Sequence, residues 1–150
     1  ELMQCVLESG TVVCEDVPAE YYVPAGATRA LELLRSHGIQ MRKLATAVKG
    51  VEEFTISANT ARPATNSIDT GAHELRLLEG TWQAATTAVP AGSYIVSMKQ
   101  PLARLAFYLI APTSDDGVVN WNILDEWIGE GKAVPIYRVM TDAKLKSKSN

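Results

Sequence analysis

Apolar residues recur along the chain with two spacings, one typical of helices and the other typical of strands. Two segments, 27–34 and 102–109, carry apolar residues every three or four positions, which is the spacing of one face of an α-helix. Gly38 and Pro112 follow these segments, and both residue types favour helix ends. Pro101 suits the first position of the second helix, because the missing N–H would have no partner there. The pattern therefore predicts two main helices.

The segments around these helices are predicted to be strands, and several alternate between apolar and polar residues. Residues 94–96 hardly alternate, as expected of a strand buried on both faces. Gly80 is interpreted as a turn between two strands, and residues 59–70 as a polar loop. Residues 21–44 are predicted to form a strand–helix–strand unit with parallel strands. The predicted strands are 5–7, 11–14, 21–23, 39–44, 51–57, 72–78, 82–89, 93–98 and 134–140.

These elements predict a single α+β domain over residues 1–140. Its core is a mixed β-sheet of about six to eight strands, packed against two main helices and one short helix. The short helix is expected from Asn120 through Trp127. Residues 141–150 are rich in Lys and Ser and are predicted to be a disordered basic tail.

Composition is that of an ordinary globular domain, with 47% hydrophobic and 21% charged residues. The formal net charge is -3, whereas a nucleic-acid-binding surface needs a basic stripe. The longest apolar run, Leu105 to Ala111, is about a third of the roughly 18 residues that span a bilayer. Neither nucleic acid nor a membrane is therefore predicted as a partner.

Cys5 and Cys14 flank a predicted hairpin turn. If Leu7 faces Val12 across that hairpin, the two cysteines face each other as well. Opposed positions of neighbouring strands lie about 4.5 to 5.5 Å apart, which permits a disulfide. The alternative is that both cysteines are small apolar strand residues that stay reduced.

Two histidines are present, His37 and His73. His37 ends the first helix, where the helix dipole favours a protonated imidazole, so a capping role is predicted. His73 lies on the apolar face of a predicted strand, either as a hydrogen-bonded core residue or as part of an interface. Because the chain lacks His-x-x-Glu, His-x-His and Cys-x-x-Cys spacings, we predict that it has no metal ligand, cofactor or catalytic residue.

Trp121 and Trp127 are the aromatic residues of greatest interest. They are six residues apart, a spacing that does not place two side chains on one face of a helix, so one of them is expected to be exposed. An exposed Trp often marks a docking surface or a platform for sugars, and burial of both in the core is the alternative. Gln100, at a helix start, presents its amide to a partner or caps the helix. These three residues and His73 are the candidate interface residues.

Three stretches together resemble the C-terminal accessory region of large bacterial zinc carboxypeptidase-like proteins of the carboxypeptidase A class. The first is Ala19-Glu20-Tyr21-Tyr22-Val23-Pro24 with Leu31-Glu32-Leu33-Leu34-Arg35-Ser36-His37-Gly38-Ile39. The second is Gly92-Ser93-Tyr94-Ile95-Val96 with Gln100-Pro101-Leu102-Ala103. The third is Ser114-Asp115-Asp116-Gly117 with Trp121-Asn122 and Pro135-Ile136-Tyr137-Arg138-Val139.

The resemblance covers most of residues 19–140 in order, although residues 59–89 match nothing in the family. Ala111 stands where the family usually has an acidic residue before the proline. The family's zinc-binding His-x-x-Glu and third zinc histidine belong to its catalytic domain, and this chain contains neither. The resemblance therefore implies a non-catalytic domain that packs on the peptidase domain of the same polypeptide or aids substrate recognition. It implies zinc only in that catalytic domain, and a secreted or periplasmic location rather than a cytoplasmic one.

A second hypothesis remains open beside the accessory domain. The chain could be an independent module that binds peptide or carbohydrate through Trp82, Trp121 or Trp127 and an exposed strand edge.

Overall fold

The computed structural model describes residues 3–8, 11–63, 74–128 and 133–140, and side chains within 15–61, 74–128 and 133–140. His73 and the predicted tail 141–150 lie outside the described residues. The strands and helices, in chain order, are β1 (Met3–Glu8), β2 (Thr11–Asp16), β3 (Glu20–Val23), α1 (Thr28–Ser36), β4 (Arg42–Lys43), β5 (Glu52–Pro63), β6 (Glu74–Ala84), β7 (Tyr94–Ser97), α2 (Ala103–Ile110), α3 (Asp125–Ile128) and β8 (Ala133–Val139).

Six of the described strands form one sheet in the order β4-β7-β3-β8-β5-β6, and each neighbouring pair is antiparallel. The prediction of a mixed sheet is therefore wrong for the described part of the chain. β3 and β4 do point the same way, as predicted for residues 21–44, but β7 lies between them. The physical reason is burial: β7 gains by being covered on both faces, whereas the two residues of β4 are exposed and suit the edge.

Two strand–helix–strand units interleave in this sheet. β3, α1 and β4 form the first unit, with β7 inserted between its strands. β7, α2 and β8 form the second, with β3 inserted. This connectivity and strand order are those of the split β-α-β, or ferredoxin-like, arrangement. The β5–β6 hairpin is an insertion between the two units, and it extends the sheet beyond β8.

The predicted apolar stripe of α1 is confirmed, whereas that of α2 is buried only in part, because Leu102 is 39% exposed. Both helices cover one face of the sheet. Their buried residues are Ala30, Leu31 and Leu34 of α1 and Ala106, Phe107, Leu109 and Ile110 of α2. These side chains form one cluster with Tyr21, Val96 and Ile136 from the central strands. Burial of one large aliphatic or aromatic side chain contributes about 1.5–3 kcal/mol, so this layer is the main source of stability. Among the described residues, no helix combines the length and apolar character that crossing a bilayer requires.

A smaller cluster covers the opposite face of the central strands. It consists of Tyr22, Leu44, Val51, Val89 and Ile95. Its cover comes from the loops around Val48 and Val89, which are joined by an isolated antiparallel bridge. β7 is thus buried on both faces, and this confirms the interpretation of its non-alternating sequence.

The second helix begins later than the sequence predicts. Pro101 lies two residues before α2, because residues 100–103 form a turn in which the Ala103 N–H donates to the Gln100 carbonyl at 3.1 Å. The helix ends at Ile110, just before Ala111 and Pro112, as predicted.

The β5–β6 hairpin corrects two local predictions. β6 runs straight through Gly80, which was predicted to be a turn, and β5 continues to Pro63, inside the predicted polar loop. A Cβ atom at Gly80 would lie 2.1 Å from the Thr55 carbonyl oxygen, so glycine serves the close approach of two strands there. A register shift between Ile56 and Ala58 marks the facing irregularity in β5.

β1 and β2 form a separate antiparallel pair, and their register places Cys5 opposite Cys14. The predicted hairpin is confirmed. The side chains of both cysteines lie outside the described ones, so the disulfide stays a prediction.

Candidate functional site

The two exposed tryptophans lie on the segment 117–128, which is anchored from below. Trp121 is 37% exposed and Trp127 is 44% exposed. The buried apolar side chains of the segment are Val118, Val119, Leu124 and Ile128. The helix predicted from Asn120 starts only at Asp125, because Asn122 has a φ of 61°, which a right-handed helix cannot contain. Both tryptophans are exposed, so neither fills the core.

Trp127 is held by the turn that precedes α1. A Cβ atom at Gly26 would lie 2.9 Å from Cζ2 of the Trp127 ring. Only glycine therefore allows the ring to rest on this turn, and any larger residue would push it outward. The indole is fixed on one side and open to solvent on the other.

Trp121 is oriented by an acidic turn. Its indole N–H donates a hydrogen bond to the Asp116 carboxylate. The neighbouring Asp115 accepts a hydrogen bond from the Tyr108 hydroxyl at 2.6 Å. The two carboxylates therefore position aromatic side chains.

Two residues between the tryptophans, Asn122 and Asp125, belong to a hydrogen-bonded network around Arg76. The Arg76 Nε donates to Asp125 at 2.7 Å, and its Nη1 donates to Asn59 at 2.6 Å. Asn122 donates to the other oxygen of Asp125 at 3.1 Å. The hydrogen bond from Arg76 lowers the pKa of the Asp125 carboxyl, with Asn122 and the charge of Arg29 acting in the same direction. This network ties the β5–β6 hairpin to the segment that carries the tryptophans.

An open groove of about 340 Å³ runs beside α1. It is lined by Arg29, Glu32, Leu33, Ser36 and Ile123. Because Ile123 belongs to the same segment as Trp121 and Trp127, this groove borders the aromatic surface. We call residues 117–128 with the turn at Gly26 the tryptophan surface.

Gln100 is used inside the molecule. Its side-chain oxygen accepts from the Gln40 N–H at 2.8 Å, and its NH₂ group donates to the Gln40 carbonyl at 3.1 Å and the Ser97 carbonyl at 2.8 Å. The amide thus clamps the loop between α1 and β4 to the end of β7. The side chain does not cap α2.

Trp82, the third tryptophan of the binding-module hypothesis, is half-buried. Its ring centroid lies 5.5 Å from that of Phe54 and 6.2 Å from that of Tyr21. Its indole N–H donates to Glu15 at 2.9 Å, and the Arg138 guanidinium lies 4.3 Å above the ring centroid. Trp82 therefore belongs to an internal cluster rather than to an open platform.

Arg138, which is 6% exposed, forms an ion cluster that was not predicted from the sequence. The Arg138 Nε donates to Glu52 at 2.7 Å, and its Nη1 lies 3.5 Å from Glu15. The Glu15 contact links β2 of the N-terminal hairpin to the main sheet. The sequence of β8 does indicate this burial. Alternate residues of the strand face the core, and Arg138 lies on the same face as Val134 and Ile136.

Tyr21 lies beside this cluster with its hydroxyl buried and without a hydrogen-bond partner in the described part of the chain. Burial raises the pKa of Tyr21 well above its ordinary value, and the charge of Glu15 acts in the same direction while Arg138 opposes it. The hydroxyl therefore stays neutral.

Within residues 3–8, 11–63, 74–128 and 133–140, no three His, Cys, Asp or Glu side chains are grouped so that they could hold a metal ion. Comparison of the chain with family models, curated proteins and solved structures finds no match.

Proposed function

We propose that this chain is a non-catalytic accessory domain of a zinc carboxypeptidase-like metallopeptidase, which packs on the peptidase domain of the same polypeptide or helps it to recognise substrate. The observation that carries the proposal is the exposure of Trp121 and Trp127 on a segment that is anchored by the buried side chains of Val118, Val119, Leu124 and Ile128. Large aromatic side chains held rigidly at a surface are typical of docking sites. Zinc belongs, on this proposal, to the peptidase domain.

The position of the family-like stretches supports this proposal. They cover β3 with α1, β7 with the start of α2, and β8, which together form the frame of the split β-α-β arrangement. Residues 59–89, which match nothing in the family, cover most of the β5–β6 hairpin and its return to the sheet. An insertion confined to a hairpin leaves the frame unchanged, which agrees with a resemblance carried by the frame.

The test is a binding titration between this chain and the peptidase domain encoded upstream, produced as a separate polypeptide. We expect a saturable complex that Trp121→Ala and Trp127→Ala each weaken about 30-fold, equivalent to about 2 kcal/mol at a binding hot spot. Leu102→Ala is the matched control. Leu102 is also apolar and 39% exposed, but it lies beside Gly38, at the other end of α1 from Gly26.

Two results would contradict the proposal. One is an upstream sequence without a zinc-peptidase motif, or an upstream domain that does not bind. The other is peptide turnover or stoichiometric zinc binding by this chain alone, which would overturn its non-catalytic role.

The second candidate is the independent module for peptide or carbohydrate, and the exposure of both tryptophans also favours it. Tryptophan fluorescence titrated with peptides and glycans separates the two. A saturable change in the absence of the peptidase domain, removed by Trp121→Ala or Trp127→Ala, would favour the module.

A further inference from the structure

β6 forms one end of the six-stranded sheet and is paired with β5 on a single side. The Ala85 N–H donates to the Val51 carbonyl at 2.9 Å, and this bond fixes which residues of β6 face β5. Backbone groups point alternately to the two sides of a strand in an antiparallel ladder. Thr81 and Gln83 therefore bond to β5, whereas the residues between and beside them direct N–H and C=O outward.

The contacts of Asn120 show independently that the backbone groups of Arg76 point away from β5. Its carbonyl accepts from the Arg76 N–H at 3.0 Å, and its side-chain NH₂ donates to the Arg76 carbonyl at 3.1 Å. A single residue thus imitates a neighbouring strand at this point and closes the edge there. Because β6 has no register shift of its own, the same alternation holds as far as Ala84.

From Gly80 to Ala84 the edge is exposed or half-exposed, whereas Leu78 is 7% exposed. The outward-facing residues of this edge are Leu78, Gly80, Trp82 and Ala84. In the described residues, the backbone groups on this side of the stretch 78–84 have no hydrogen-bond partner. The stretch also contains neither Lys nor Pro, the residues that commonly protect an edge strand. An unpaired strand edge is a template for another strand.

We propose that this edge pairs antiparallel with the same edge of a second copy of the chain, through a two-fold axis at Thr81. In this register the backbone groups of all four outward-facing residues form hydrogen bonds to the other copy. Arg76 does not take part, because its backbone groups are already bonded to Asn120. Thr81 then faces Thr81 of the second copy, and Glu79 faces Gln83. The proposal concerns a surface other than the tryptophan surface, and it does not rest on the proposed function.

Charge and space disfavour two alternative registers. An axis at Glu79 would place two carboxylates opposite each other, which is unfavourable across a strand pair. An axis at Gly80 would place Ala84 opposite Arg76, where Asn120 already lies. The register at Thr81 avoids both conflicts and places the Trp82 position opposite Gly80, which has no side chain to obstruct it. A self-complementary stretch is what a closed two-fold dimer requires, so the second copy is the occupant that fits.

The first test is the mass of the full chain by sedimentation velocity from micromolar to near-millimolar concentration. We expect a concentration-dependent dimer. Thr81→Glu would gather four carboxylates at the axis, and Ala84→Pro would remove one outward N–H without disturbing the bonds to β5, so both variants should be monomeric. Ser57→Glu, the same charge change at an exposed site of β5, should dimerise like the parent. A monomeric parent, or a dimer that both edge variants retain, would overturn the proposal.

The second test fixes the register and does not depend on whether a charged variant folds. In a Cys5→Ser, Cys14→Ser background, Thr81→Cys should form a disulfide between two copies on oxidation with diamide, whereas Glu79→Cys should not. Equal cross-linking at both positions would overturn the axis at Thr81. Slow amide exchange at Leu78, Gly80 and Trp82 that depends on added peptidase domain, and not on the concentration of the chain, would assign the edge to that domain and overturn pairing with a second copy.

Discussion

The guanidinium carbon of Arg138 lies 4.3 Å from the centre of the Trp82 ring. The same guanidinium is hydrogen-bonded to Glu52 at 2.7 Å on the neighbouring strand. Arg138 therefore joins β8 to both strands of the inserted hairpin, while the Trp82 indole N–H reaches Glu15 ahead of β3. A charged residue with a 7% exposed side chain is stable in this position because both its charge and its flat face have partners.

Arg138→Met should reduce the free energy of unfolding by about 3–5 kcal/mol, because it leaves the Glu52 carboxylate half-buried without its cation. Urea unfolding followed by tryptophan fluorescence measures the change. Arg104→Met, at an exposed position of α2, is the control and should shift stability by less than about 0.5 kcal/mol. Equal effects of the two substitutions would show that the buried ion cluster is not needed for stability.

Gly80→Ala should destabilise the hairpin by about 1–3 kcal/mol, because the added methyl group would meet the Thr55 carbonyl oxygen and the Phe54 ring. Chemical denaturation gives the magnitude, and amide exchange in β5 and β6 shows where it acts. Ser57→Ala, on the facing strand but exposed, should change little. An unchanged midpoint for Gly80→Ala would mean that the two strands are farther apart at this point.

The Asp125–Arg76 pair predicts that the free energy of unfolding depends on pH in the acidic range. Because the hydrogen bond from Arg76 lowers the pKa of Asp125, the ionised carboxylate stabilises the folded protein above the pKa of the unfolded chain. This contribution is lost as the pH falls through the lower pKa of the folded protein. The stability difference between the parent and Asp125→Asn should therefore narrow on acidification.

Carboxyl-carbon NMR measures the same pKa directly. Arg76→Gln should raise the pKa of Asp125, whereas Arg104→Gln, at an exposed site of α2, should leave it nearly unchanged. A pKa of Asp125 that does not respond to the loss of Arg76 would contradict the role given to this hydrogen bond.

Gln100→Ala should loosen the connection between α1 and β4. The substitution removes one acceptor and two donated hydrogen bonds, at an expected cost of about 1–2 kcal/mol because water can replace part of them. Amide exchange at Gln40 should become faster. Lys99→Ala, at the exposed neighbouring position, should leave that amide unchanged. If both variants behave alike, the clamp does not order this loop.

The predictions that succeeded depend on local pattern. The stripe over residues 27–34 and the non-alternating Ile95 and Val96 each specify burial without reference to distant residues. The interpretation of Gly80 failed because glycine marks a turn and a close strand approach equally well, and only the nearby Thr55 carbonyl oxygen on β5 distinguishes them. Gln100 failed as a helix cap because its partner, Gln40, lies sixty positions away.

By itself, the sequence determined which segments of this protein form its two main helices and its central strand, because the period of apolar residues acts over a few neighbours. Only the tertiary structure decided that β7 separates β3 from β4, that Arg138 stacks on Trp82, and that both Trp121 and Trp127 stay exposed. These outcomes depend on which distant segments exchange hydrogen bonds and share buried surface, and a short-range pattern carries no record of that choice.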